Sequence, residues 1–147
     1  KKKTSRSLKA AYKDPNKGKS LRKWGTKTNK RTSSKIEREL GRKLGVNFKR
    51  HMTAILDSGR RIDVDIFHKN KDIWVESDGP FHFEKVHKNH NFEYSKARDL
   101  EENAHCEANG ILLIRVNNYK YTLEEQIKFI RKEVKGWDGK GKVKTLY

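Results

Sequence analysis

Four acidic residues and one histidine lie close together in the sequence, at spacings that suit hydrolytic chemistry. They are Asp63, Asp65, Glu76, Asp78 and His82. The first two alternate with apolar residues, which predicts a strand with one buried face. Like charges placed this close are destabilising unless a divalent cation, a basic cluster or a shared proton compensates them. Mg²⁺ suits such a site, because it is commonly held by one or two carboxylates, waters and substrate phosphate.

A turn centred on Asn70–Lys71 predicts the register of the hairpin that carries these acids. The predicted cross-strand pairs are Phe67 with Trp74, Asp65 with Glu76, and Asp63 with Asp78. In this register the four carboxylates share one face of the sheet. The alternative is a solvent-exposed sheet face whose acids pair with Lys and Arg.

His82 follows the second acidic strand through a sharp turn at Gly79–Pro80, which would hold its ring near the acids. In that position it would act as a general base for water or stabilise the leaving oxygen.

Hydrophobic periodicity predicts the element order α-β-β-β-α-β-α, an α/β domain whose central sheet carries helices on both faces. The predicted helices are 34–44, 92–108 and 122–135, and the predicted strands are 46–55, 61–67, 73–77 and 111–116. The first helix begins with a capping-box pattern at Ser34 and Glu37.

The net charge of +17 is concentrated at one end of the chain. Residues 1–32 contain 13 basic residues and one acid, a net charge of +12, which predicts a flexible arm that binds a polyanion, most simply nucleic acid. A folded domain is predicted at 33–135 and a shorter basic tail at 136–147. The arm residues expected to contact nucleic acid are Lys13, Lys19, Arg22, Lys23, Trp24, Lys27, Lys30 and Arg31.

Composition also excludes several classes of protein. Cys106 is the only cysteine, so an internal disulfide framework and a cysteine-based zinc site are excluded. The lack of an apolar leader or membrane-spanning run predicts a cytoplasmic protein with no membrane partner.

Residues 34–116 resemble the very-short-patch-repair-like (EDxHD) branch of the PD-(D/E)XK, restriction-endonuclease-like superfamily. The matching marks are the helix glutamate in Ser34-x-x-Glu37, the strand Arg61–Ile66, the string Val75–His82, and Arg98-Asp99-Leu100 before the strand Ile111–Val116. Phage and intron homing endonucleases belong to this branch and fit better than its repair enzymes, since Phe83 stands where those carry a further histidine. The lysine position of the superfamily is occupied by Asp78.

The resemblance implies a Mg²⁺-dependent endonuclease, with Mn²⁺ able to substitute, that nicks or cleaves double-stranded DNA. Asp65 would be the principal metal ligand and Glu76 a second ligand. Glu37 would hold the metal water or a catalytic side chain, His82 would be the general acid or base, and Asp99 would orient it. The implied setting is a bacterial nucleoid or a phage-encoded enzyme, and double-strand cleavage would require a homodimer.

A second reading is a catalytically silent module, because the string Asp78–Phe83 also resembles the RNA-binding RAP domain. The acidic set discriminates between the two, since carboxylates repel phosphate and do not help a protein that only binds it.

Overall fold

The computed structural model describes residues 35–86 and 88–147, together with the backbone of Lys23–Trp24. The three helices are α1 (Lys35–Leu44), α2 (Phe92–Ala108) and α3 (Leu123–Lys135). The strands are β1 (Lys23–Trp24), β2 (Phe48–Ile55), β3 (Arg61–His68), β4 (Ile73–Asp78), β5 (Leu112–Asn117) and β6 (Lys142–Leu146). A 3₁₀ turn at Pro80–His82 follows β4.

The strands form one mixed sheet in the order β1-β2-β3-β4-β5-β6. Strands β1 to β4 pair antiparallel, whereas β4, β5 and β6 pair parallel. The two parallel connections contain α2 and α3, because a parallel pair needs a crossover long enough to return the chain to the same end of the sheet. The β3–β4 ladder contains Phe67↔Trp74 and Ile66↔Val75, so the register predicted from the turn is confirmed for these pairs.

Each face of the sheet is covered by helices. On one face, α1 and α3 contribute Leu40, Leu44 and Ile130 to a core with the strand residues Val75 and Ile114. On the other face, α2 packs through Cys106 onto a second core that includes Trp74 and Leu113. The predicted α/β architecture with helices on both faces is therefore confirmed.

The ends of the helices follow their local sequence. Thr122 and Glu125 form a reciprocal capping box at the start of α3, and the Asn91 side chain accepts a hydrogen bond from Tyr94 N–H at the start of α2. Gly45 and Gly110 follow the ends of α1 and α2 with φ of 100° and 68°, a conformation that glycine adopts at little cost.

The predicted C-terminal tail, 136–147, is corrected by the structure because it contains β6. This strand pairs with β5 along its length, and Gly141 lies so close to the carbonyl oxygens of Cys106 and Glu107 that a side chain would not fit there. The segment reads as a tail because β6 is an edge strand whose lysines alternate with few apolar residues, and such edges commonly carry lysine.

The predicted N-terminal arm lies outside the described residues, except for the backbone of Lys23–Trp24. That pair forms β1, with Lys23 opposite Thr53 and Trp24 opposite Met52. The expected nucleic-acid contacts of the arm therefore remain predictions.

Candidate active site

Strands β3 and β4 separate where two of the predicted site residues lie. Beyond the pair Ile66↔Val75 the ladder ends, and two carboxylates enter the space between the strands. Glu76 Oε1 accepts a hydrogen bond from Asp65 N–H at 3.4 Å, and Asp65 Oδ2 accepts one from Ser77 N–H at 2.9 Å. We refer to Asp65, Glu76 and Ser77 as the acidic opening.

Asp63 does not join this opening. Its neighbours Ile62 and Val64 belong to the core beneath α2, so by alternation Asp63 points to the opposite face of the sheet. There, Thr53 Oγ1 donates to Asp63 Oδ1 at 3.2 Å. The prediction that four carboxylates share one face is therefore wrong for Asp63.

The reason is a local break in the alternation of β2 and β3. Val64 lies in the core beneath α2, whereas Ile66, two residues later, lies in the core beneath α1 and α3. The β2–β3 ladder includes Arg50↔Ile66 and Met52↔Val64 but omits the pair between them, and His51, the β2 residue in this gap, has a φ of 60°. Positive φ is uncommon outside glycine and reverses the local pleat. Strain of this kind often lies at functional sites, although sequence alone gives no sign of it here.

His51 also contacts the helix glutamate of the predicted site. His51 Nε2 lies 3.5 Å from Glu37 Oε1, and Glu37 is largely buried at the start of α1. Glu37 therefore lies beside His51, in the gap of the β2–β3 ladder that also contains Asp65. His51 is not among the site residues predicted from the sequence.

Glu76 is buried among like charges. Burial raises the pKa of Glu76 well above its ordinary value, the charges of Asp65 and Glu102 raise it further, and Arg115 only partly offsets them. Burial raises the pKa of the neighbouring Glu102 as well, although Arg115 partly offsets it. Glu76 thus holds a proton more tightly than an exposed glutamate does.

His82 forms a hydrogen-bonded pair with Asp99 at the end of β4. The 3₁₀ turn Pro80–His82 brings the ring over α2, where His82 Nδ1 lies 2.8 Å from Asp99 Oδ2 and 3.6 Å from Asp78 Oδ1. Burial lowers the pKa of His82, but the Asp99 hydrogen bond and the charges of Asp78 and Asp99 outweigh it, so the pKa is raised. With Nδ1 facing Asp99, Nε2 is the ring nitrogen that remains for a substrate.

Arg115 holds the carboxylates around His82. Its buried guanidinium donates to both Asp78 oxygens at 3.2 Å, to Glu102 Oε2 at 2.8 Å and to Asn103 Oδ1 at 2.8 Å. It also lies 3.6 Å from Asp99 Oδ1. We call Arg115 with Asp78, Asp99 and Glu102 the Arg115 cluster. Sequence reasoning does not assign Arg115 to the site, although an arginine inside the apolar run of β5 is a usable signal, since lone charges are rarely buried.

Tyr147, at the end of β6, completes the environment of Asp78. Tyr147 Oη donates to Asp78 Oδ2 at 3.0 Å, and burial raises the pKa of the phenol, as do Asp78 and other charges nearby. The Phe83 ring packs edge-on against Tyr147 at 4.7 Å and against Tyr119 at 5.9 Å between centroids. The segment predicted as a tail therefore supports the turn that carries His82.

Metal ligation must be judged from the donors present. Within residues 35–86 and 88–147, no group of three or more His, Cys, Asp or Glu side chains is arranged to hold a metal ion. Asp65 and Glu76 form a two-carboxylate set, which is too few for a closed zinc-type site but is the number that Mg²⁺ commonly uses.

Comparison of the chain with protein-family models, with curated proteins and with solved structures finds no match. None of the helices in the described part of the chain is long and apolar enough to cross a membrane.

Proposed function

We propose that the protein is a Mg²⁺-dependent endonuclease of the PD-(D/E)XK type that hydrolyses phosphodiester bonds in DNA. The observation that carries the proposal is the meeting of two groups at one end of β4. Asp65 bonds to the backbone of Ser77, and the next residue, Asp78, lies against the ring of His82. A pair of carboxylates with a histidine–aspartate pair beside it suits hydrolysis of a phosphodiester.

Asp65 and Glu76 fit a divalent cation because their negative charge is only partly compensated within the fold. When bound there, Mg²⁺ would supply positive charge to the scissile phosphate and lower the pKa of a bound water. Glu76 must release its proton before it can act as a ligand, which makes metal affinity increase with pH.

His82 is suited to the acid side of the reaction. Its raised pKa keeps a larger fraction of the ring protonated near neutral pH. As water attacks phosphorus and the bond to the leaving oxygen breaks, His82 Nε2 would donate its proton to that oxygen. Asp99 would hold the ring through Nδ1 and stabilise the imidazolium beforehand, as a carboxylate behind a histidine does in hydrolases.

The burial of Glu76 also supports the second candidate, a nucleic-acid-binding module without catalysis. A buried glutamate whose raised pKa keeps it protonated is a neutral structural group if no cation displaces the proton. The two candidates make opposite predictions about cleavage, so a single experiment separates them.

The experiment measures cleavage of supercoiled plasmid, labelled DNA duplexes and RNA with Mg²⁺ and with EDTA. We expect Mg²⁺-dependent cleavage of DNA that falls about 100-fold or more in Asp65→Asn and His82→Gln. Asp63→Asn is the matched control, because it removes an equal charge two residues away on the opposite face and should keep activity within about threefold.

Equal losses in the Asp63 and Asp65 variants would contradict the assignment of the metal ligand. Binding of nucleic acid without cleavage of any substrate would favour the non-catalytic module and overturn the proposed enzyme.

A further inference from the structure

A basic groove of about 870 Å³ runs between α1 and β2, beside the acidic opening but outside it. Basic side chains dominate its lining, and Glu39 is its only acid. The basic residues of the groove are Lys35, Arg38, Arg42, Lys49, Arg50 and His51. We call this surface the α1–β2 groove.

Three of the basic side chains of this groove have no acidic partner among the described residues. Arg38, Arg42 and Lys49 are exposed, and within residues 35–86 and 88–147 none of them forms an ion pair with an acidic side chain. Several unpaired positive charges around one concave surface create a positive potential that attracts a polyanion.

The groove is also packed in a specific way. Gly41 lies beneath the side chain of Arg50, so that a Cβ on Gly41 would lie 2.8 Å from both Cγ and Cδ of Arg50. The absence of a side chain at Gly41 lets the arginine stem cross α1 and contribute to the groove wall. Close packing of the Arg50 stem against Gly41 therefore fixes where the side chain crosses α1 and directs its guanidinium to the groove wall.

One end of the groove reaches the candidate active site. His51 lines the groove, its ring lies 3.5 Å from Glu37, and it lies in the gap of the β2–β3 ladder between Arg50↔Ile66 and Met52↔Val64, the gap that also contains Asp65. A polyanionic strand lying in the groove would thus pass from basic side chains to the carboxylates where a cation is proposed.

We propose that the α1–β2 groove binds the phosphate backbone of a nucleic-acid strand on one side of the bond to be cut. The choice of nucleic acid as partner rests on the proposed function, because the groove leads to the acidic opening. An anionic membrane surface would also be attracted by the charge, but it would not require a groove that ends at a hydrolytic site.

The test measures binding in EDTA, so that no cleavage is required. Fluorescence anisotropy of a labelled DNA duplex, a DNA single strand and an RNA strand is followed from 50 to 300 mM salt. The groove variant carries Arg38→Gln, Arg42→Gln and Lys49→Gln. Its affinity for at least one of these ligands should fall about tenfold or more, and the slope of log K against log salt should flatten by roughly 2 to 3.

The matched control carries Lys128→Gln, Lys140→Gln and Lys144→Gln, which removes three exposed positive charges from α3 and from the β6 side of the sheet. It should change affinity by less than about threefold. Circular dichroism melting of both variants checks that they are folded, and surface substitutions of this type change stability little.

Equal losses of affinity in the groove variant and in the control would mean that net charge alone explains the binding, which would contradict a binding site in the groove. The groove would equally be overturned if only phosphatidylserine vesicles, and no nucleic acid, bound in a groove-dependent way. Groove-dependent binding of nucleic acid without cleavage would support binding by the α1–β2 groove and reject the proposed endonuclease. Cleavage by the protein, with unchanged binding in the groove variant, would support the endonuclease and reject the groove as a binding site.

Discussion

The acidic opening and the Arg115 cluster are neighbours along β4, because Glu76 and Ser77 belong to the first and the next residue, Asp78, belongs to the second. The two regions differ in how their negative charge is compensated. Asp78 receives the guanidinium of Arg115 and the hydroxyl of Tyr147. Asp65 and Glu76 receive backbone N–H groups, and no basic side chain in the described part of the chain donates a hydrogen bond to either of them.

This difference separates a structural role from a functional one. Burial of a carboxylate is costly, and the Arg115 cluster meets that cost with fixed partners inside the fold. The acidic opening instead leaves Glu76 with a strongly raised pKa beside a second carboxylate. A carboxyl group with a raised pKa in a gap between strands, such as Glu76, is a candidate for binding an external cation.

Among the predicted changes, removal of Arg115, which compensates the buried carboxylates, should have the largest effect on stability. Arg115→Met leaves Asp78 and Glu102 buried without their cation, so we expect a loss of about 3–5 kcal/mol in the free energy of unfolding at pH 7. Urea unfolding measures it. The loss should shrink toward pH 5, because the two abandoned carboxyl groups can then take up protons.

The control for this variant is Arg60→Met, which removes the partly exposed ion pair between Arg60 and Glu101. We expect it to cost about 1 kcal/mol or less. If the two arginine variants lose similar stability, the Arg115 cluster is not the buried anchor described above.

Neutralising Glu76 tests whether the charge of the acidic opening is uncompensated. Because the folded protein binds the Glu76 proton more tightly than the unfolded chain, stability falls as pH rises from the ordinary glutamate range toward the raised pKa. Glu76→Gln should remove this fall and stabilise the protein at pH 8. The gain is about 1.4 kcal/mol per pH unit between the ordinary and the raised pKa.

The same variant tests the cation without any cleavage assay. Addition of 10 mM Mg²⁺ at pH 8 should raise the melting temperature of the wild type, because a ligand that binds the folded state stabilises it. It should not raise that of Glu76→Gln, while Glu124→Gln, an exposed substitution on α3, should behave as the wild type. A wild type that is insensitive to both pH and Mg²⁺ would contradict the proposed metal ligand.

Local sequence signals account for much of the fold. The turn at Asn70–Lys71 determines the pairing of Phe67 with Trp74, and apolar periodicity locates the helix predicted at 122–135. These predictions succeed because turn chemistry and helical period are encoded within a few residues.

The parts that could not be predicted depend on distant contacts. Asp63 turns away from the site because β2 and β3 break their alternation around His51, whose backbone conformation leaves no trace in residue type. The strand β6 is recognised only once β5 offers it an edge, since its own composition is that of a basic tail.

Tyr147→Phe gives the smallest expected effect and tests whether β6 belongs to the Arg115 cluster. The change removes one hydrogen bond to Asp78 and keeps the ring that packs on Phe83, so we expect a loss of about 1 kcal/mol by urea unfolding.

Tyr119→Phe is the matched control: its ring also contacts Phe83 but its hydroxyl makes no hydrogen bond to Asp78, so stability should be unchanged. Because Tyr147 lowers the pKa of Asp78, and Asp78 in turn raises that of His82, the variant should also shift the His82 titration followed by NMR. A loss of stability equal in both tyrosine variants, with an unshifted His82 titration, would mean that β6 supports the fold but does not reach the site.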